Sequence, residues 1–217
     1  MCHGGSGPRG RCRVYRCFPF RGKGVGGNSV EDIARVVEYA HTFRVKVYVT
    51  VNTILKDEEL PETEKLVWAL YRAGVDALIV QDMALLELDL PPIPLHASTQ
   101  MDNRTPDKVK FLHGLGFSQV VLARELSLAE IQAVHAACDV PLEVFVHGAL
   151  CVSYSGQCYV SQHCFGRSAN RGECAQFCRL KFDMVDSDGR MIEQGRHLLS
   201  LKDMNRGLIW NACWTPA

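Results

Sequence analysis

Val45-Lys-Val-Tyr-Val-Thr-Val51, ending at Asn52, and Asp76-Ala-Leu-Ile-Val80, ending at Gln81 and Asp82, decide the fold. Each is a short, mainly apolar run that closes on polar residues. The second is apolar at four consecutive positions, so it has no solvent face and reads as a parallel strand covered on both sides. Between the two, Leu60 to about Ala73 has helical periodicity and stops at Gly74.

The same alternation continues outward. Toward the N-terminus, Asn28 or Ser29 can cap a helix with Glu31 and Asp32 in its first turn and Ile33, Val36, Val37 and Ala40 along its apolar face. Toward the C-terminus, Leu95–Ser98 reads as a strand, about Pro106 to Leu115 as a helix closed by Gly116, and Gln119–Ala123 as the next strand. Ser127 with Glu130 forms a capping box for a helix to about Cys138, and Leu142–Val146 is a further strand. Strand and helix alternate through short connections without a Gly-rich dinucleotide turn. The expected class is therefore α/β, a TIM-type (β/α) barrel. Five strands can be matched where a closed barrel has eight, so the barrel is expected to be incomplete.

The whole-chain charge balance is neutral, with 24 Lys and Arg against 24 Asp and Glu, and gives no global electrostatic case for nucleic acid or membrane. No apolar run has the length of a membrane span, and the N-terminus lacks the apolar core of a signal peptide, so a cytoplasmic location without a membrane partner is expected. Ten cysteines in such a chain favour metal ligation over disulfides. Residues 1–27 are crowded with Gly and Arg and lack acidic residues and any period, so they are expected to be loop or disorder; residues 28–205 are the ordered part, and 206–217 a tail.

The cysteines concentrate in residues 147–179, directly after the last apolar run. Cys151, Cys158, Cys174 and Cys178 are separated by six, fifteen and three intervening residues. Thiolates are soft ligands, and this spacing lacks the tight pairs of a zinc ribbon. The set suits a 4Fe–4S cluster, with zinc as the alternative. Cys164, between His163 and Phe165, falls outside the pattern; Cys138 reads as core, and Cys2, Cys12, Cys17 and Cys213 receive no role.

The block also carries a resemblance. Glu143, Phe145, Gly148, Ala149, Leu150, Cys151, Gly156, Cys158, Val160 and Ser161 fit the signature of peptidase family U32, the collagenase-like peptidases, and Gly166–Arg179 resembles the same family. The likeness runs from about Asn28 to about Asn205. It implies a barrel whose first strand should lie within residues 1–27. No such strand is legible there, so the sequence reads as a fragment or frame-shifted copy. The family is associated with hydroxylation of RNA bases, in tRNA and 23S rRNA, as well as with peptidase activity. An iron–sulfur-dependent RNA hydroxylase is the first expectation; a collagenase-like peptidase, or an inactive truncated member of either kind, is the alternative. RNA or a peptide is accordingly the expected partner.

In such barrels reacting groups gather at the C-terminal ends of the strands. That places Asn52, Gln81, Asp82, Ser98, Gln100 and Arg124 as candidate substrate contacts and His147 and His96 as candidate acid–base groups. Arg124 could clamp an anion or pair internally with Glu125 or Asp82. Glu143, at the start of its strand, reads as a structural carboxylate at the end away from the site, paired with a lysine or arginine; its place in the family signature keeps a functional role open as the alternative. His41, His113 and His135 sit on helices and read as solvated.

Overall fold

A computed structural model describes residues 28–207 and the backbone of 12–16. The chain divides into two compact units, the first ending at Phe145 and the second beginning at Val146, one residue ahead of the cysteine block.

In the first unit the elements are β1 (Cys12–Arg16), α1 (Val30–Thr42), β2 (Lys46–Val51), α2 (Leu60–Arg72), β3 (Ala77–Val80), β4 (Leu95–Ala97), α3 (Pro106–Gly114), β5 (Gln119–Val121), α4 (Leu128–Ala137) and β6 (Leu142–Glu143). All six strands are parallel and neighbour one another in sequence order, β1 to β6. A sheet wound in one direction is the winding of a (β/α) barrel; a doubly wound sheet reverses its order at a switch point. Six strands are two fewer than a closed barrel has. β1 corrects the expectation that no strand precedes residue 28: Cys12–Arg16 pairs in register with Lys46–Thr50. The rest of residues 1–27, and the tail from 208, lie outside the described residues.

Local chemistry starts the helices where the sequence places them. Ser29 caps α1 and Ser127 caps α4, each within a reciprocal capping box, with Asp32 and Glu130 respectively. Thr105 caps α3, whose first residue is Pro106. Asp76 joins α1 to the sheet, its Oδ2 accepting from the Val47 amide at 2.7 Å and pairing with His41 Nε2 at 2.9 Å. His41 is thus anchored rather than merely solvated. His113 Nδ1 lies 3.4 Å from the Phe117 carbonyl, and His135 is exposed.

Alternation along each strand sorts side chains onto two faces. Val47, Val49, Val51, Leu78, Val80, Ala97 and Val120 pack with Ile33, Val37, Val67, Leu70, Val109, Leu112 and Val134 of the helices in one core. The other face carries Tyr48, Ala77, Ile79, Val121 and Phe145, interleaved with Thr50, His96, Gln119 and Glu143.

The second unit has short elements: β7 (His147–Gly148), α5 (Val160–Phe165), β8 (Phe182–Val185), β9 (Met191–Arg196) and β10 (Met204–Asn205). β8 and β9 form an antiparallel ribbon, and β10 pairs antiparallel with β7. No helix among the described residues is long and apolar enough to cross a membrane.

Candidate functional site: a polar concave face and a cysteine block

The helix-free face of the first unit's sheet is bent inward. Asn52, just past β2, donates from Nδ2 to Ser98 Oγ, just past β4, at 3.2 Å, although β3 lies between them. Strands two apart in a flat sheet stand roughly 9–10 Å from each other, a gap two short side chains do not span. Deeper in, the rings of Tyr48 on β2 and His96 on β4 meet edge to face, centroids 4.7 Å apart, again across β3. The curvature gathers the polar groups of this face.

The candidates take different places on it. His96 is 5% exposed and lies within the face rather than beyond its rim. Ser98 Oγ also accepts from the Gln100 amide at 3.2 Å, which fixes the start of the next turn. Asp82 spends one carboxylate oxygen on the Ala84 amide and the other on the Leu55 amide, tying two loops together. Gln81 keeps a buried Oε1 with no hydrogen-bond partner, as do Thr50 Oγ1 and Asn103 Oδ1. Arg124 lies over the Phe145 ring, Cζ 4.3 Å from its centroid, as a cation–π contact.

Glu143 departs from expectation twice. Its register partner is Val121, the last residue of β5, so strand stagger brings the first residues of β6 level with the C-terminal ends of their neighbours. Its hydrogen-bond partner is the neutral Gln119, Nε2 to Oε2 at 2.7 Å, rather than a lysine or arginine. Burial pushes the Glu143 carboxyl above its usual range, and the Gln119 hydrogen bond opposes that rise.

Asn103 went unnoticed in the sequence. Fully buried, it donates from Nδ2 to the carbonyls of both Ser98 and Val121 at 2.9 Å, stitching the ends of β4 and β5. The polar run Thr99-Gln-Met-Asp-Asn103 after a short strand was the available signal.

In the second unit, His147 Nδ1 lies 3.0 Å from the Met204 carbonyl. A proton on Nδ1 makes that bond and leaves Nε2 as the ring's acceptor. Arg179 crosslinks the unit, donating to the Leu150 carbonyl beside Cys151, to Ser200 Oγ and to the Leu201 carbonyl at 2.7–2.9 Å. Cys174 Sγ accepts from the Gln176 amide at 3.4 Å and lies 4.0 Å from Ser161 Oγ, while Ser161 Oγ also accepts from the Ala175 amide at 3.0 Å.

Burial raises the pKa of the Cys178 thiol; Cys151 and Cys174 raise it further, against the pull of Arg179. Among the described residues no group of three His, Cys, Asp or Glu side chains stands close enough together to hold a metal ion. The four thiols have the soft-donor chemistry of a cluster site, and that of Cys174 accepts a backbone N–H from Gln176. All four are free thiols, Cys151 and Cys174 exposed and Cys158 and Cys178 half-buried.

The family model for peptidase family U32 matches residues 18–207. The chain belongs to family U32. It is 58% identical over 176 residues to a 23S rRNA 5-hydroxycytidine synthase of Escherichia coli, covering 81% of this chain and 27% of that protein. It is 38% identical to a tRNA hydroxylation protein of Bacillus subtilis, covering 74% of this chain and 39% of that protein. With a collagenase of Porphyromonas gingivalis it shares 31%, over 85% of this chain and 48% of that protein. This chain thus spans between about a quarter and a half of the length of these relatives. The solved structure of a U32 peptidase superposes with a TM-score of 0.52 at 16% identity, covering 78% of this chain and 76% of that one, a likeness of fold.

The U32 signature acquires physical content here. Gly148 and Gly156 hold φ of +138° and +76°, a backbone region that side chains rarely adopt. Ser161 is the buried hydroxyl beneath Cys174, and Glu143 is the buried carboxyl of the concave face.

Proposed function

We propose that this U32 chain is the cluster-bearing part of an RNA base hydroxylase, with Cys151, Cys158, Cys174 and Cys178 as ligands of a 4Fe–4S cluster. The observation that carries the reading is the 58% identity over 176 residues to a 23S rRNA hydroxycytidine synthase. The tRNA hydroxylation protein supports the same class of substrate, tRNA or rRNA. When bound, such a cluster supplies one-electron transfer. The chain's own residues supply the rest. Ser161 and the Gln176 amide hold Cys174 in place, and His147, with Nδ1 held by Met204, offers Nε2 as a proton acceptor. Asn52, Gln81, Ser98, Gln100 and Arg124 rim the concave face as substrate contacts, with His96 below them; Asp82 shapes that rim through the two loops it ties.

Proteolysis is the second reading, favoured by the collagenase at 31% identity. Cluster ligation would occupy the thiolates of Cys151, Cys158, Cys174 and Cys178 and leave Cys164 as the exposed free thiol among the described residues. Anaerobic purification separates the two. The proposal expects a brown protein with iron and acid-labile sulfide near four each per chain, as a 4Fe–4S cluster requires. One zinc per chain and no iron overturns it.

A further inference from the structure

We propose that the outward side of α5, with Tyr159, His163 and Arg167, is a contact surface for unpaired RNA. The inference rests on the RNA-modifying reading and adds where the polymer is held.

Charge is the first observation. Residues 28–145 carry ten Lys and Arg against eighteen Asp and Glu, a composition that repels a polyanion. Between His147 and Lys181 the balance reverses, with Arg167, Arg171, Arg179 and Lys181 against Glu173 alone. The chain's overall neutrality hides this segregation. Arg179 is consumed by its three internal bonds, whereas Arg167 is exposed.

Geometry is the second. Ser161 is 1% exposed and turned toward Cys174, which fixes the rotation of α5. At about 100° per residue, Tyr159 and His163 fall on the opposite side, a four-residue pair tied by the His163 amide to the Tyr159 carbonyl at 3.0 Å. Tyr159 is 61% exposed, and His163 is exposed beside it. Arg167 follows the left-handed Gly166, and its amide is held on the Ser161 carbonyl at 3.2 Å. Two outward rings followed by a guanidinium on an anchored backbone suit stacking of unpaired bases and pairing with phosphate. A base stacked there would lie about one helix diameter, ~10 Å, from the Cys174 side of α5.

The test uses the full 217-residue chain and a labelled, unstructured oligouridine followed by fluorescence anisotropy at several salt concentrations. Tyr159→Ala is expected to weaken binding about fivefold or more, the value of one lost base stack, while Tyr159→Phe binds as the parent does. Arg167→Ala is expected to flatten the log affinity against log salt plot by about 0.7, one phosphate contact. Tyr159→Ala binding like the parent, Tyr159→Phe losing as much as Tyr159→Ala, or polyglutamate displacing the RNA at equal charge each overturns the surface. Iron content is read on the same samples. Iron present with variant-insensitive RNA binding removes only this surface; iron absent with Tyr159-dependent binding removes only the cluster reading.

Discussion

Among the described residues, every buried apolar side chain except Met204 lies in the first unit. There, helices and sheet share one core, and Phe117, Ile33, Leu70 and Leu78 are almost entirely removed from water. The second unit buries Ser155, Ser161, Asn170 and Met204, and exposes Met184, Val185, Met191 and Ile192 along its ribbon. It is held by directed bonds, those of Arg179 and Ser161 and the β7–β10 and β8–β9 pairings, and by the ring contacts of Phe177 with Phe165 and Phe182. A segment of that size without an apolar core usually depends on a disulfide or a metal. The proposed cluster on Cys151, Cys158, Cys174 and Cys178 would be such a staple, and under that proposal the unit's fold and its metal content are one problem.

The largest effect follows from that contrast. Cys151→Ser, Cys158→Ser, Cys174→Ser and Cys178→Ser should each abolish iron loading and leave the second unit open to protease, while a resistant fragment ending near Phe145 survives. Limited proteolysis with mass spectrometry and an iron assay check this. A second unit equally resistant without iron would break the comparison. Next, Phe117→Ala should cost the first unit about 3–5 kcal/mol, read as a lower urea midpoint, with iron content unchanged. Loss of iron in that variant would mean the two units share their stability.

The smallest effect concerns Glu143. Its raised pKa means the folded state holds the proton more tightly than the unfolded chain does. That stabilisation is complete at acid pH and is lost as pH rises from the ordinary carboxylate range through the raised folded value. Glu143→Gln cannot ionise and can still accept from Gln119. It should match the parent at acid pH and exceed it in urea midpoint above the folded pKa. A difference that does not change with pH would show that the carboxyl stays ionised.

The helices were legible because their signals are local. Ser29, Ser127 and Pro106 start them within a residue of expectation, and Gly74 and Gly116 follow their ends. β1 was not legible: Cys-Arg-Val-Tyr-Arg shows no apolar run, and pairing with β2 identifies it. The apolar run Leu142–Val146 marks the last strand of the sheet, of which only Leu142 and Glu143 pair with β5. Gln119 and Glu143 meet only through neighbouring strands, and Asn103 acquires its duty from carbonyls on two others, so neither could be found by spacing. The cysteine pattern was the reverse case, plain in sequence yet spread through short turns. The β8–β9 ribbon was missed because its exposed residues carry no burial pattern.

The contact between Tyr48 and His96 has a consequence for the strand beneath it. Ala77 sits in register with Tyr48 on that side of the sheet and is 1% exposed. It behaves like the crown of an arch, where a narrow stone lets the two flanks lean together. A leucine at 77 would wedge the flanks apart, undoing the Tyr48–His96 contact and, nearer the rim, the bond from Asn52 to Ser98. The shape of a rim built from residues far apart in the chain therefore depends on side chains of β3 that bear no chemistry of their own, Ala77 in register with Tyr48 and Ile79 in register with His96.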